Sequence, residues 1–385
     1  MHTTTDDLLP YPTLGVLHLT ISFARGGRRD AIVTLARASR PFGVRPYLAT
    51  LRGNPSDAEP HQDDFDGYSA LDIQGRPSLQ QLRDLRDRCV AQGIRIVHAH
   101  DASSQFVASM LRLVAPTLHV VMTFHRSLGF ESAGWRNRLR NAATLVLVDR
   151  VLTASEERRT HFLGENLIPA RKVTTIPLGI DLDRFRPDSA ARAAIRSEFG
   201  VGPDEPLIVS AGHYGPEKGL DIAIAAVGHA RDALARHGSV LRHLHLGTGD
   251  ADRIAWITHR VAEAGGGTTL VGQRSDPERF FAAADLLLHT PRLEAFGLVL
   301  IQGMAAGLPV IASSIGGVPE IVVPGVGELA PSEDAAAIGG LIADLLGDAE
   351  RRTRLATAAL QRARSEYGSA TFARRHRELY EAILR

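Results

Sequence analysis

The chain has 385 residues, 44% hydrophobic and 23% charged, with 44 Lys and Arg against 43 Asp and Glu. That length holds two or three domains, and the composition is that of a globular chain rather than a disordered one. A net charge of +1 leaves no sequence-wide field to hold nucleic acid or an anionic membrane. Cys89, the single cysteine, excludes an intrachain disulfide and a cysteine zinc cluster. The opening MHTTTDDLLPYP lacks the basic and then apolar pattern of a secretory leader, and no apolar run reaches the length of a membrane span. A cytoplasmic location is expected.

In chain order, short strand-like apolar runs at 14–20, 45–51, 94–99, 118–123, 150–153 and 173–177 alternate with helix-length amphipathic segments. After a turn-like stretch at 177–187 the alternation restarts, with runs at 206–211, 241–246, 268–271, 285–289 and 309–312. Such alternation is the pattern of parallel sheets covered by helices on both faces, and the restart predicts two doubly wound α/β domains. The tail from Ala349 reads as two helices broken near Tyr367 and Gly368.

In open parallel sheets ligands collect at the carboxyl ends of the strands, beside helix N-termini. Behind the first strand, Gly26 and Gly27 serve either a close backbone approach to a phosphate or a plain strand-to-helix turn. His98 and His100 alternate at a strand end, where one is expected in the core and the other toward the ligand, with Asp101 beside them. Of the 44 basic residues only Lys172 and Lys218 are lysines, and Lys218 stands at a helix start in GHYGPEKGLD. A cation there opposes the helix dipole unless an anion offsets it, so Lys218 is either an anion ligand or a solvated turn residue. In HTPRLEAFGLVLIQGMAAGLPVIASSIGGVPE, Glu294 ends an apolar strand just ahead of Gly297 and an Ala/Gly-rich helix, and Gln302 follows on that helix. The segment WRNRLR at 135–140 is a solvated helix face or a weak peripheral membrane contact. His and Asp are not grouped at ligand spacing, so no metal is expected.

These residues resemble the retaining nucleotide-sugar glycosyltransferases of family four, the group 1 glycosyltransferases of GT-B architecture. The resemblance runs through RGG, HAHD at 98–101, TFH at 123–125, VLTASE at 151–156, IPLGIDLDRF at 176–185, PEKG, EAFG, PVIAS and GGVPE. It implies two Rossmann-like parallel-sheet domains with a cleft between them: 1–180 on the acceptor side, 181–365 for the nucleotide sugar, and 366–385 as a helix returning to the N-terminal domain. It also implies a retaining transfer from a UDP- or GDP-sugar to a hydroxyl acceptor, with no permanently bound cofactor. Glu294 then resembles the donor-sugar residue, Lys218 the diphosphate lysine, and Gly297, Leu298 and Val299 the backbone cradle of the phosphates. Gly272, Gln273 and Arg274 resemble the base pocket, Gly27 the glycine that approaches the diphosphate, and His125 the histidine near the transferred sugar. Two positions depart from the pattern: Gln302 stands where the family has its ribose-binding glutamate, and His213 where an arginine often serves the diphosphate. A protein that binds a nucleotide sugar with little transfer is the alternative. A dinucleotide dehydrogenase is disfavoured, because GTGDAD at 247–252 lacks the third glycine of that fingerprint.

Overall fold

A computed structural model describes residues 11–24, 26–52, 59–125, 142–236, 238 and 240–385. The 135–140 segment lies outside the described residues. Two compact units form: Ile180–Gly368 is one, and the described chain before it together with Ser369–Arg385 is the other.

The first unit carries strands β1 (Leu14–Thr20), β2 (Val44–Thr50), β3 (Tyr68–Ala70), β4 (Ile94–Ala99), β5 (His119–Phe124), β6 (Arg150–Thr153) and β7 (Val173–Thr175). Its helices are α1 (Gly27–Ser39), α2 (Leu79–Ala91), α3 (Ala102–Val114) and α4 (Glu156–Glu165). The strands order as β3-β2-β1-β4-β5-β6-β7, every pairing parallel. All seven residues of β1 are buried, as a central strand covered on both faces requires. The core gathers Leu17, Leu19, Val97, Val107, Leu111 and Val120, with Cys89 inside it. Burial pushes the Cys89 thiol up to about 12, so it is a packing residue and not a reactive one.

The second unit repeats the plan with β8 (Leu207–Ala211), β9 (Arg242–Leu246), β10 (Thr268–Gly272), β11 (Leu286–His289), β12 (Val310–Ser313) and β13 (Glu328–Ala330), ordered β10-β9-β8-β11-β12-β13. Helices α5 (Ser189–Glu198), α6 (Leu220–Ala235), α7 (Ala251–Glu263), α8 (Pro277–Ala283), α9 (Leu298–Ala305), α10 (Val318–Ile321), α11 (Ala335–Gly347) and α12 (Ala349–Glu366) surround them. A parallel bridge between Ile180 and Gly368 joins the two ends of the unit. The last helix, α13 (Ser369–Leu384), packs on α1 in the first unit, where Arg377 donates to the Pro12 carbonyl at 2.9 Å. No helix among the described residues is long and apolar enough to cross a membrane.

Helix starts fall into two kinds. Ser78, Asp101, Ser155, Asp188, Asp250, Asp334 and Asp348 each cap a helix by accepting the N–H three residues on. By contrast, α1, α6, α9 and α10 begin at Gly26, Gly219, Gly297 and Gly317 with no side-chain cap, and α8 begins at an Asp276 that makes none. Their first-turn N–H groups are left for another acceptor.

Candidate active site

In both sheets the strand order reverses at one point, between β1 and β4 and between β8 and β11. Ligands of doubly wound sheets bind outside the carboxyl ends of the strands at that switch point.

In the second unit, β8 leads through Gly212 and His213 into a 3-10 turn at Pro216–Lys218, and β11 leads to Glu294. Lys218 Nζ donates to Glu294 Oε2 at 3.0 Å, and the ring Nε2 of His289 lies 3.2 Å from the same oxygen. Oε1 of Glu294 has no hydrogen-bond partner among the described residues and is left to accept from a ligand. Burial alone would raise the Glu294 carboxyl. The hydrogen bond from His289 and the charge of Lys218 overcome it and hold the group at about 2. The anion that offsets Lys218 in its unfavourable place is therefore Glu294.

Two glycines make this approach possible. A Cβ on Gly219, whose φ is +61°, would stand 1.9 Å from the Thr290 carbonyl oxygen. One on Gly316, at φ +54°, would stand 2.0 Å from the carbonyl oxygen of Glu294 itself. The loop after β11 is tied to the Lys218 turn by Arg292, which donates to both Asp221 oxygens at 2.8 and 2.7 Å and to the Pro216 carbonyl at 2.9 Å. The Arg292 and Leu293 amides both donate to the Glu217 carbonyl.

The remaining expected residues divide. Gly297 is the uncapped start of α9, so Leu298 and Val299 present first-turn amides beside Glu294, and the Gln302 amide has no partner among the described residues. Gly272 ends β10 at φ +83°, and Gln273 beyond it is exposed. Arg274 is paired with Asp276 at 2.9 and 3.1 Å and with Glu198 at 3.2 Å, and lies over the Phe280 ring. His213 is bonded to Glu217 through Nε2.

In the first unit, Gly27 opens α1 behind Gly26. His98 and His100 are both buried, at 0% and 3% exposure, against the expectation that one faces the core and the other the ligand. Residues two apart on a strand share a face, so the pair was bound to point the same way. Asp101 caps α3 and accepts from the Ile21 amide at 2.7 Å and the Thr20 hydroxyl at 3.0 Å, a structural use. His125 follows β5 and is half-buried, with Nε2 at 3.1 Å from His100 Nδ1. Histidines scattered in the sequence are gathered by the fold: His18, His98 and His100 each bring a possible ligand nitrogen within 4.8 Å of the others. Sequence reasoning missed His289, Arg292, His18 and His376. His289 alone left a signal, a polar residue closing an apolar strand just before Glu294.

Each unit thus carries a switch-point site beside an uncapped helix start, and the second adds a cation-held carboxylate. Residues 26–184 match the model of Glycosyltransferase Family 4, and 191–362 that of Glycosyl transferases group 1. A D-inositol 3-phosphate glycosyltransferase of Xylanimonas cellulosilytica is 31% identical over 89% of this chain and 85% of its own. A GDP-mannose-dependent alpha-(1-6)-phosphatidylinositol monomannoside mannosyltransferase of Mycobacterium tuberculosis is 28% identical over 86% of this chain and 92% of its own. In fold, Anabaena HepE in complex with UDP superposes with a TM-score of 0.84 at 18% identity, over 96% of this chain and 100% of that one. Sucrose-phosphate synthase of Thermosynechococcus elongatus does so at 0.77 and 22%, over 96% and 99%. The chain belongs to the family-four, group 1 glycosyltransferases. It is a nucleotide-sugar-dependent transferase, and the transferases among its relatives speak against the alternative of binding without transfer.

Proposed function

We propose that the protein moves a hexosyl group from a UDP- or GDP-sugar, with retention, to a hydroxyl of a glycan, glycolipid or small molecule. The observation that carries this is the Glu294 carboxylate, fixed through Oε2 by Lys218 and His289 with Oε1 open beside the uncapped start of α9. A carboxyl held at about 2 is a poor base at neutral pH. Its role is to accept from a sugar hydroxyl and to favour the positive charge that grows at the anomeric carbon.

Negative charge grows on the departing diphosphate, and Lys218 with the Leu298 and Val299 amides is suited to receive it. The acceptor then attacks from the leaving-group face and the departing phosphate oxygen takes its proton, so no protein nucleophile is required. Gln302 serves the ribose, and Gly272 with Gln273 the base. Arg274, paired with Asp276, completes that base pocket. The same reading gives Gly27 of the first unit to the diphosphate and His125 to the transferred sugar. The inositol-bearing acceptors in the relatives' names are the first to try.

The test is a thermal-shift panel of UDP, GDP and ADP and their sugars, followed by transfer assays with the anomeric configuration of the product read by NMR. A true donor at a hundred times its dissociation constant stabilises the folded state by about 2.7 kcal/mol. An inverted product, or stabilisation by none of these compounds, would overturn the proposal.

A further inference from the structure

One cluster in the first unit gathers five histidines from four parts of the chain: His18 on β1, His98 on β4 with His100 just past it, His125 after β5, and His376 on α13. Three of them form a continuous hydrogen-bonded chain. His18 Nδ1 lies 3.0 Å from His100 Nε2, and His100 Nδ1 lies 3.1 Å from His125 Nε2. The other two leave it alone. His98 spends Nδ1 on the Tyr380 hydroxyl at 2.7 Å and Nε2 on the Thr123 hydroxyl at 2.6 Å, while its ring stacks on His100 at 4.3 Å. His376 donates from Nδ1 to the Phe372 carbonyl at 2.9 Å.

A neutral imidazole has one donor and one acceptor nitrogen, so a chain of three can run in only two directions. Burial comes first among the causes that keep these rings neutral: it takes His18 and His125 down to about 3 and His98 and His100 well below the usual value. The charge of Arg28, which sits by Asp101, adds to the effect at His125. In one direction His125 Nε2–H donates inward, and the chain ends on a His18 Nε2–H that has no acceptor among the described residues, with the Phe65 ring 6.3 Å away. In the other, His18 Nδ1–H donates to His100, His100 Nδ1–H donates to His125, and His18 ends on a bare lone pair. In a ring only 1% exposed, an N–H left without an acceptor is a costlier defect than a bare lone pair, so the second direction is favoured.

We propose that His18 and His100 are positioning residues that hold His125 in its Nδ1–H tautomer, so that its free edge offers a donor and not a lone pair. The proposal rests on the reading that His125 meets the transferred sugar: a donor there selects a sugar oxygen and leaves no base beside the reacting centre. A metal site at His18, His98 and His100 is the competing use of the cluster. Those rings lie within 27° to 37° of parallel, which keeps their in-plane lone pairs from converging on one ion.

The test is long-range proton–nitrogen NMR of 15N-histidine-labelled protein, with His125 assigned through His125→Ala. In the wild type, His125 Nδ1 is expected to have the shift of a protonated nitrogen and Nε2 that of an acceptor. His18→Phe should move His125 toward a tautomer mixture and lower kcat about tenfold with donor KM nearly unchanged. At position 100 an Asn amide stands in for Nδ1 and a Gln amide for Nε2. His100→Asn should therefore keep the His125 tautomer and most of the turnover, and His100→Gln should lose both. A bare Nδ1 in the wild type overturns the proposal even if no variant folds. So does an unchanged His125 in His18→Phe, equal behaviour of the two position-100 variants, or stoichiometric Zn2+ uptake that reorders these signals. Wild-type turnover in His125→Ala alongside a protonated Nδ1 would reject the sugar reading and leave the chain of tautomers standing.

Discussion

Replacing Glu294 by Gln removes a charge but little volume, and the surroundings allow the effect to be sized. The carboxyl stands at about 2 against an ordinary 4.5, which corresponds to roughly 3 kcal/mol of folding stability at neutral pH. The Gln oxygen can still accept from Lys218 and His289 as a neutral group, so we expect a net loss of about 2 kcal/mol. For a unit of this size that is a fall in Tm of roughly 4–8 °C. Because the folded value is depressed, the stability is fully present above about pH 4.5 and is lost as pH falls toward 2. The gap between wild type and Glu294→Gln should therefore be full at pH 6 and much narrower at pH 3.5. Urea unfolding in a Trp135→Phe background reads it, since Trp256, the other tryptophan, lies on α7 in the second unit. Turnover should drop about a hundredfold while nucleoside diphosphate affinity stays within about threefold. An equal gap at both pH values would refute the electrostatic account, and lost affinity with normal turnover would refute the placing of Glu294 at the sugar.

Gly219→Ala should cost about 3 kcal/mol or more, because the new Cβ meets a carbonyl oxygen at a backbone angle that alanine disfavours; a urea midpoint equal to wild type would contradict the packing described. Arg292→Met should weaken donor binding about tenfold by loosening the turn that carries Lys218 and leaving Asp221 unpaired; an unchanged affinity in titration calorimetry would refute this. Gln302→Glu alone should change nucleoside diphosphate affinity little, since a charge-assisted ribose bond comes with repulsion of the phosphates. Added to it, His213→Arg should tighten binding beyond the sum of the single effects; additive energies in the double-mutant cycle would dismiss the compensation.

What was legible in the sequence lay in contiguous runs. The central strands β1, β4 and β6 begin and end where their runs do, because nearly every residue in them is buried and apolar side chains dominate. Edge strands β3 and β13, three residues each and only partly buried, left no such signal. Glu294 and Lys218 could be singled out separately from their positions ahead of glycine-flanked helices, but their 3.0 Å contact joins two loops 76 residues apart. The Asp276 partner of Arg274 is visible two residues away, but its Glu198 partner comes from 76 positions earlier. The histidine chain was hidden for the same reason. His18 and His100 are 82 positions apart, and only the pairing of β1 with β4 brings them together.

That returning helix sets the order in which the chain can be completed during synthesis. Strands β1 to β7 leave the ribosome first, yet the element that covers α1 and supplies Tyr380 and Arg377 leaves after the whole second unit. At about 5–20 residues per second the first unit waits on the order of ten to forty seconds for its last piece. Throughout that interval His98 lacks its Tyr380 partner, and the α1 surface that Phe372 and Ala373 help to cover stays open. The unit made first is thus the one finished last.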